Sequence, residues 1–112
     1  MKYFFQIILF LFTIKTFSQA KGQIKLTREK INNCKTVCDL ISEIPKDCTV
    51  NNFIFTGNVN SQIKELKCEG KGFSTEARAL MNYFEKGKSF FIEQIKSSCQ
   101  KSHKNKYEII VD

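Results

Sequence analysis

The sequence predicts a mainly β fold with one short helix at about residues 74–86 and a second short helix near the N-terminus. Two observations predict this class. Segments rich in β-branched and aromatic residues, 49–56 and 89–95, are bounded by Gly, Asn and Ser, as strands usually are. A helical stripe with capping signals at both ends occurs clearly in one place, residues 74–86.

Length and charge exclude several classes of protein. The chain has 112 residues, with 18 Lys and Arg against 11 Asp and Glu, one His and no Trp. This length suits one domain, so a multidomain enzyme does not fit, and the basic balance does not suit an acidic disordered chain. A polytopic membrane protein is also excluded, because the chain has a single long apolar run.

The first twenty residues are typical of a cleavable signal peptide. An apolar run over residues 3–14 lies between Lys2 and Lys15, and it is too short for a spanning helix, which needs about 20 residues. Ser18 and Ala20 are small residues at the positions that signal peptidase prefers, which predicts cleavage after Ala20. An uncleaved membrane anchor is the alternative. We therefore expect one domain over 21–112, periplasmic or secreted, with no stable membrane span after cleavage.

The first part of this domain supports two interpretations. Thr27 is a suitable N-cap, and the residues that follow it have helical spacing. They predict one helix from about 28 to 43, ending before Pro45, with its stripe at Ile31, Cys34, Cys38 and Ile41. The alternative is a shorter helix that ends near Asn33 and is followed by a strand over residues 37–41.

The central part predicts two strands and the clearest helix. Residues 49–56 and 63–69 are strand candidates, each ended by Gly. Ser74 can cap the helix that follows, Lys86 lies in its expected last turn and Gly87 at its C′ position. Its apolar stripe is predicted to face the core, and it comprises Ala77, Leu80, Met81 and Phe84.

Two strands are predicted to complete the domain. In the segment 89–95, a β-bulge near Glu93 and Gln94 would bring Phe90, Ile92 and Ile95 to one face. Tyr107, Ile109 and Val111 alternate in the last strand. We expect helix stripe and strand face to meet in a cluster of Leu80, Phe84, Phe90 and Ile92.

The five cysteines favour disulfides but leave their pairing open. All five lie in the predicted exported part, where the environment is oxidising, and their odd number leaves at least one thiol unpaired. Cys34 and Cys38 have no second ligand pair of the kind that a structural zinc site needs. No metal ion and no cofactor is therefore predicted.

The residue pattern also argues against an enzyme. The single histidine, His103, lies in a lysine-rich turn without a neighbouring acid that could orient it. No metal-protease, nucleotide-binding or nucleophile-elbow motif occurs. We therefore predict no catalytic residue.

A cluster of basic residues near the C-terminus is the candidate partner-binding site. We assign that role to Lys101, Lys104, Lys106 and Tyr107, which would favour an acidic envelope protein. Nucleic acid is not predicted, because aromatic residues do not alternate with these lysines. The segment 107–111 ends the chain, so we expect its backbone at a sheet edge, where it can pair with an extended partner segment. The alternative is that the lysines only keep the domain soluble.

Residues 70–112 contain a set of positions typical of a known family of domains: Gly70, Ser74, Ala77, Leu80, Gly87, Phe90, Ile92, Ile95-Lys96, Tyr107, Ile109 and Val111. At these positions the chain resembles the C-terminal domain of the GldM family of gliding-motility proteins. The chain departs from the family in its last turn, 97–105, which contains Cys99 instead of Pro-Asp-Gly, and in having one domain.

The resemblance implies a β-sandwich-like module of about five to seven strands that binds other proteins in bacteria with gliding motility or type IX secretion. The functional expectation is thus an exported, non-enzymatic interaction module of the bacterial envelope. The alternative is a small secreted effector or inhibitor that is stabilised by disulfides.

Overall fold

The computed structural model describes residues 22–112, so the predicted signal peptide lies outside the described residues. The described part contains five strands and three short helices. In chain order they are β1 (Gln23–Leu26), α1 (Arg28–Asn33), α2 (Val37–Leu40), β2 (Val50–Val59), β3 (Gln62–Glu69), α3 (Thr75–Met81), β4 (Ser89–Ser97) and β5 (Lys106–Val111). No helix in this part of the chain is long and apolar enough to cross a membrane.

The mainly β prediction is confirmed. The strands form one mixed sheet in the order β1-β5-β4-β2-β3, in which only the β1–β5 pair is parallel. The helices form the second layer, where a sandwich would place a second sheet. The predicted edge position of the last strand is wrong, because β1 pairs with β5 from Gln23 to Leu26 and thereby places β5 inside the sheet. Among the described strands, β1 and β3 form the two edges of the sheet.

The predicted bulge in β4 is confirmed. Gln94 has a positive φ of 49°, and the register of β4 against β2 shifts on either side of Asn52. The extra residue restores the inward direction of Ile95, so that Phe90, Ile92 and Ile95 are all fully buried. The alternation of β5 is confirmed as well, since its three predicted core residues are buried.

The N-terminal helical segment is divided into two helices. The Thr27 side chain accepts a hydrogen bond from Lys30 N, and α1 ends at Asn33 as the shorter alternative predicted. The strand predicted over 37–41 is wrong, because Thr36 starts a new helix. Thr36 and Asp39 form a capping box, and backbone hydrogen bonds from residues 35 and 36 lower the pKa of Asp39.

The helix predicted for 74–86 is shorter than expected. The Ser74 cap is confirmed by a 3.1 Å hydrogen bond from Ala77 N, but α3 ends at Met81. Gly87, with φ of 88°, lies in a separate tight turn, in which Lys88 N donates to Glu85 O. The end of the helix frees Phe84 to turn onto the sheet, where its ring packs 5.6 Å from that of Phe90.

Two arginines join α1 to α3 by capping each other's helix. Arg78 of α3 donates to the carbonyl oxygens of Asn32 and Cys34, and Arg28 of α1 donates to that of Met81 at 2.7 Å. These carbonyls lie at helix ends, where no backbone donor remains for them. These hydrogen bonds between α1 and α3 fix the orientation of both helices on the sheet, where they cover the core.

One disulfide and three free thiols account for the cysteines. Cys48 and Cys99 are bonded, whereas Cys34, Cys38 and Cys68 are free and buried, which confirms that at least one thiol is unpaired. Burial raises the pKa of both the Cys34 and the Cys38 thiol. Within residues 22–112, no three His, Cys, Asp or Glu residues are grouped as metal ligands would be.

Candidate functional site

The candidate site is the basic turn, residues 97–106, which joins β4 to β5. Its centre is a single turn of 3-10 helix, Gln100–Ser102. The Cys48–Cys99 disulfide ties it to the loop before β2. Beside the disulfide, Ser98 N donates to Thr49 O at 2.9 Å. The turn is thus fixed covalently to a segment about fifty residues earlier in the chain.

A serine–histidine hydrogen bond closes the turn from within. His103 Nδ1 lies 2.7 Å from the carbonyl oxygen of Lys104, which can only accept, so Nδ1 carries the proton. In the neutral ring, His103 Nε2 then accepts from the Ser97 hydroxyl, which lies 2.6 Å away. Ser97 Oγ also accepts from Cys99 N at 3.3 Å.

The same pair can be compared with a catalytic dyad. A catalytic histidine is usually oriented by a carboxylate, whereas His103 is oriented by a backbone carbonyl. The Ser97 hydroxyl is held by two neighbours of its own turn. These contacts fit a group that holds the loop in place, and the geometry favours a positioning role for both residues.

Gln100 completes the internal support of the turn. Its side-chain oxygen accepts from Ser97 N at 2.9 Å, and its nitrogen donates to Ile95 O at 2.6 Å. Both groups of the amide therefore bond the backbone that follows the β4 bulge. As a result, the turn is held by a covalent bond and by side-chain hydrogen bonds at both of its ends.

The structure does not bring the three predicted lysines together in one patch. Lys101 is exposed on the 3-10 turn and forms no ion pair among residues 22–112. Lys104 Nζ lies 3.5 Å from Glu43, which belongs to the loop after α2 on the helix-covered side of the sheet. Lys106 lies on the open face of the sheet, where its Nζ is 3.2 Å from Glu93. The binding role of these lysines stays a prediction.

Tyr107 is in the core rather than on the binding surface, which corrects its predicted role. Only 1% of its surface is exposed, because β1 and the loop after α2 cover it. Its hydroxyl donates to Glu43 Oε1 at 2.5 Å and accepts from Lys104 N at 2.7 Å. Tyr107 therefore anchors the basic turn to the helical layer.

The charges of this anchor are set by their surroundings. Desolvation raises the pKa of Tyr107 to about 12, and the hydrogen bond to Glu43 contributes to the rise. The same hydrogen bond lowers the pKa of Glu43, with a smaller contribution from Lys104. At neutral pH, a neutral phenol therefore donates to an ionised carboxylate, which is the stronger form of this hydrogen bond.

A shallow polar cavity of about 480 Å³ adjoins the basic turn. Four of its six lining residues carry side-chain amides, and Lys96 adds a positive charge; the lining comprises Asn51, Gln94, Lys96, Ser97, Gln100 and Asn105. Amides donate to and accept from a peptide backbone, and a lysine attracts a carboxylate. The sequence analysis missed the amides, because β2 and the β4 bulge supply two of them.

A larger cavity of about 700 Å³ lies at the opposite end of β2. Tyr83, 48% exposed, forms one side of it and donates to Asn60 Oδ1 at 3.1 Å. Apart from Lys88 and Glu85, whose charges are opposite, its lining is uncharged. It therefore offers less charge selectivity than the cavity beside the basic turn.

No protein-family model, no curated protein and no solved structure matches this chain. The resemblance to the GldM family therefore remains a prediction from the sequence.

Proposed function

We propose that this chain is an exported, non-enzymatic interaction module of the bacterial envelope, similar in role to GldM-type domains of gliding or type IX secretion systems. The basic turn and its polar cavity bind an extended acidic segment of another envelope protein. A segment of this kind supplies carboxylates for the lysines and backbone groups for the amides.

One observation carries this proposal: the turn is fixed internally, while Lys101 on it and Lys96 beside it remain exposed. The disulfide and the bonds of Ser97, His103 and Gln100 hold the backbone, and Lys96 and Lys101 have no ion pair within residues 22–112. A loop that is already ordered loses less conformational entropy when it binds, so its contacts contribute more to affinity.

The test is capture of partners from envelope extract by residues 21–112, which contain the whole described core. The variant Lys96→Glu/Lys101→Glu reverses two charges and leaves both ion pairs of the turn intact. The control Lys35→Glu/Lys86→Glu makes the same charge change at two other exposed positions.

We expect the wild type and the control to capture the same proteins and the turn variant to lose them. Capture should also weaken when salt is raised from about 0.1 M to about 1 M, because the Debye length falls from about 10 Å to about 3 Å. If the turn variant captures the same proteins at both salt concentrations, the basic turn is not the binding surface.

The second candidate, a secreted effector or inhibitor, is favoured by the disulfide that fixes the exposed turn. In that function the turn would enter the cleft of a secreted enzyme, and the chain would inhibit it. The test is to incubate the chain with the captured protein. An inhibitor would abolish the activity of that protein while the peptide bonds of the turn stay intact, whereas a scaffold would leave the activity unchanged.

A further inference from the structure

The free edge of β3 is the second surface with the character of an interface. β3 pairs with β2 through all eight of its residues without a register shift, and no described strand lies on its other side. Edge strands of monomers are usually short, bulged, interrupted by proline or lined with charged side chains. Of these features β3 has only the charges, which are of both signs, and Ile63 on it is 72% exposed.

The hydrogen-bonding parity of β3 identifies which residues face the free edge. Gly70 N donates to Asn51 O, which places the even-numbered residues of the strand in hydrogen-bonded pairs with β2. The two-residue turn at Asn60 and Ser61, with φ of 53° and 66°, agrees with this assignment, because the pair that closes it contains Gln62, an even-numbered residue. The odd-numbered residues therefore direct their N–H and C=O groups outward: Ile63, Glu65, Lys67 and Glu69.

We propose that β3 pairs antiparallel with β3 of a second copy of this chain, across a two-fold axis through Leu66. Glu65 then lies opposite Lys67 of the second copy, and Lys67 lies opposite its Glu65. Ile63 lies opposite Glu69 in the same way. The four outward residues of each copy form bonded pairs that together supply about eight backbone hydrogen bonds, and the two sheets become one.

The charge pattern selects this register over its neighbours. An antiparallel register that keeps the bonding parity can change only in steps of two residues, and each step moves the axis by one residue. An axis at Glu65 sets that carboxylate opposite its own copy, and an axis at Lys67 does the same with two ammonium groups. Like charges directly opposite each other are unfavourable, so the axis at Leu66 is preferred.

An apolar contact on the helix-covered face of the edge supports the same arrangement. Leu66 is half-buried on the helix-covered face, as is Leu80 of α3. On the axis, the two copies of Leu66 form a non-bonded pair, in which side chains are closest. Within one copy, Lys67 and Glu69 form an ion pair of 3.6 Å between exposed groups. Such pairs contribute little free energy, so little is lost when Lys67 pairs with Glu65 of the second copy instead.

The test measures the mass of residues 21–112 by light scattering during size-exclusion chromatography, from about 1 µM to about 1 mM. Lys67→Glu sets two carboxylates opposite each other in both symmetric pairs, and Glu65→Lys sets two ammonium groups there. Each should weaken dimerisation about tenfold or more. The double variant Glu65→Lys/Lys67→Glu restores opposite charges and should dimerise as the wild type does.

Restoration by the double variant separates a specific pairing from a loss of folding. Lys25→Glu, a charge reversal on the opposite edge strand, should leave the dimer unchanged. A wild type that stays monomeric throughout this range would overturn the proposal, and so would single variants that dimerise normally or a double variant that does not. This surface is separate from the basic turn, so Lys96→Glu/Lys101→Glu should dimerise normally, and each proposal can fail without the other.

Discussion

Replacing Gly57 by alanine should destabilise this protein only while Phe84 is present. A Cβ built on Gly57 would lie 3.1 Å from Cε2 of the Phe84 ring and closer still to its Cζ. Phe84 is nearly fully buried against Phe55 and Phe90, so the ring has little room to retreat. Overpacking of this kind costs about 1–3 kcal/mol of unfolding free energy.

The removal of Phe84 should reverse the sign of this effect. Phe84→Ala alone costs about 3–5 kcal/mol, because it leaves a cavity in the core. In that background the added methyl group enters free space, and alanine is favoured over glycine inside a strand by about 0.5–1 kcal/mol. Gly57→Ala should therefore be stabilising there, which gives a coupling free energy of about 1.5–4 kcal/mol between the two sites.

Urea unfolding followed by circular dichroism measures this coupling in four proteins: the wild type, Gly57→Ala, Phe84→Ala and the double variant. Circular dichroism is suitable because the chain has no tryptophan. Gly72→Ala is the matched control, since a Cβ there meets nothing within 4 Å, and its effect should be the same in both backgrounds. Equal destabilisation by Gly57→Ala with and without Phe84 would refute the proposed contact.

Three further predictions concern the cysteines and the anchor of the basic turn. The variant Cys48→Ala/Cys99→Ala should lose about 4 kcal/mol of unfolding free energy, because the disulfide spans 51 residues of sequence. Reductant should leave the urea unfolding curve of this variant unchanged and should shift that of the wild type. A wild-type curve that is also unchanged by reductant contradicts the prediction. Tyr107→Phe should cost about 1–3 kcal/mol at neutral pH, since the variant leaves Glu43 without its donor. This cost should shrink as the pH falls through the lowered pKa of Glu43, and also as the pH rises from 10 towards the Tyr107 pKa of about 12. A cost that is constant from pH 3 to pH 11 would exclude the hydrogen bond between the neutral phenol and the ionised carboxylate as its cause. The three free thiols should not react with Ellman's reagent in the native protein and should all react in urea without reductant, whereas rapid reaction of the native protein would show that they are accessible.

Local signals predicted much of the fold. The caps at Thr27 and Ser74 depend on one side chain and the next three residues, so they can be recognised without tertiary contacts. The bulge at Gln94 follows from the same kind of reasoning, because the parity of neighbouring apolar residues requires an extra residue. The capping box at Thr36 and Asp39 is equally local, but the sequence analysis predicts either one continuous helix or a strand at this position and not a second helix.

Long-range contacts determine the features of the fold and of the site that local signals do not predict. The α3 helix stops at Met81 because its carbonyl is capped by Arg28 and because Phe84 packs against Gly57, and both partners are far away in the sequence. The candidate site has the same character. The alternation of the last strand predicts that Tyr107 is buried, whereas its neighbouring lysines predict a binding role. Its contacts with Glu43 and β1 confirm only the first prediction.

The position of β5 in the sheet shows where sequence reasoning ends for binding surfaces. Alternation along a strand reports which face is buried, and Tyr107 to Val111 would alternate in the same way at an edge or in the interior. The neighbours of a strand depend instead on how distant segments return, and here the parallel strand β1 covers β5. β1 thereby becomes the edge on that side of the sheet, and β3 is the edge on the other side. The first four residues of β3 are all exposed and so give little pattern. The strand that is hardest to recognise by its burial pattern is thus the one whose backbone and alternating charges are free to bind.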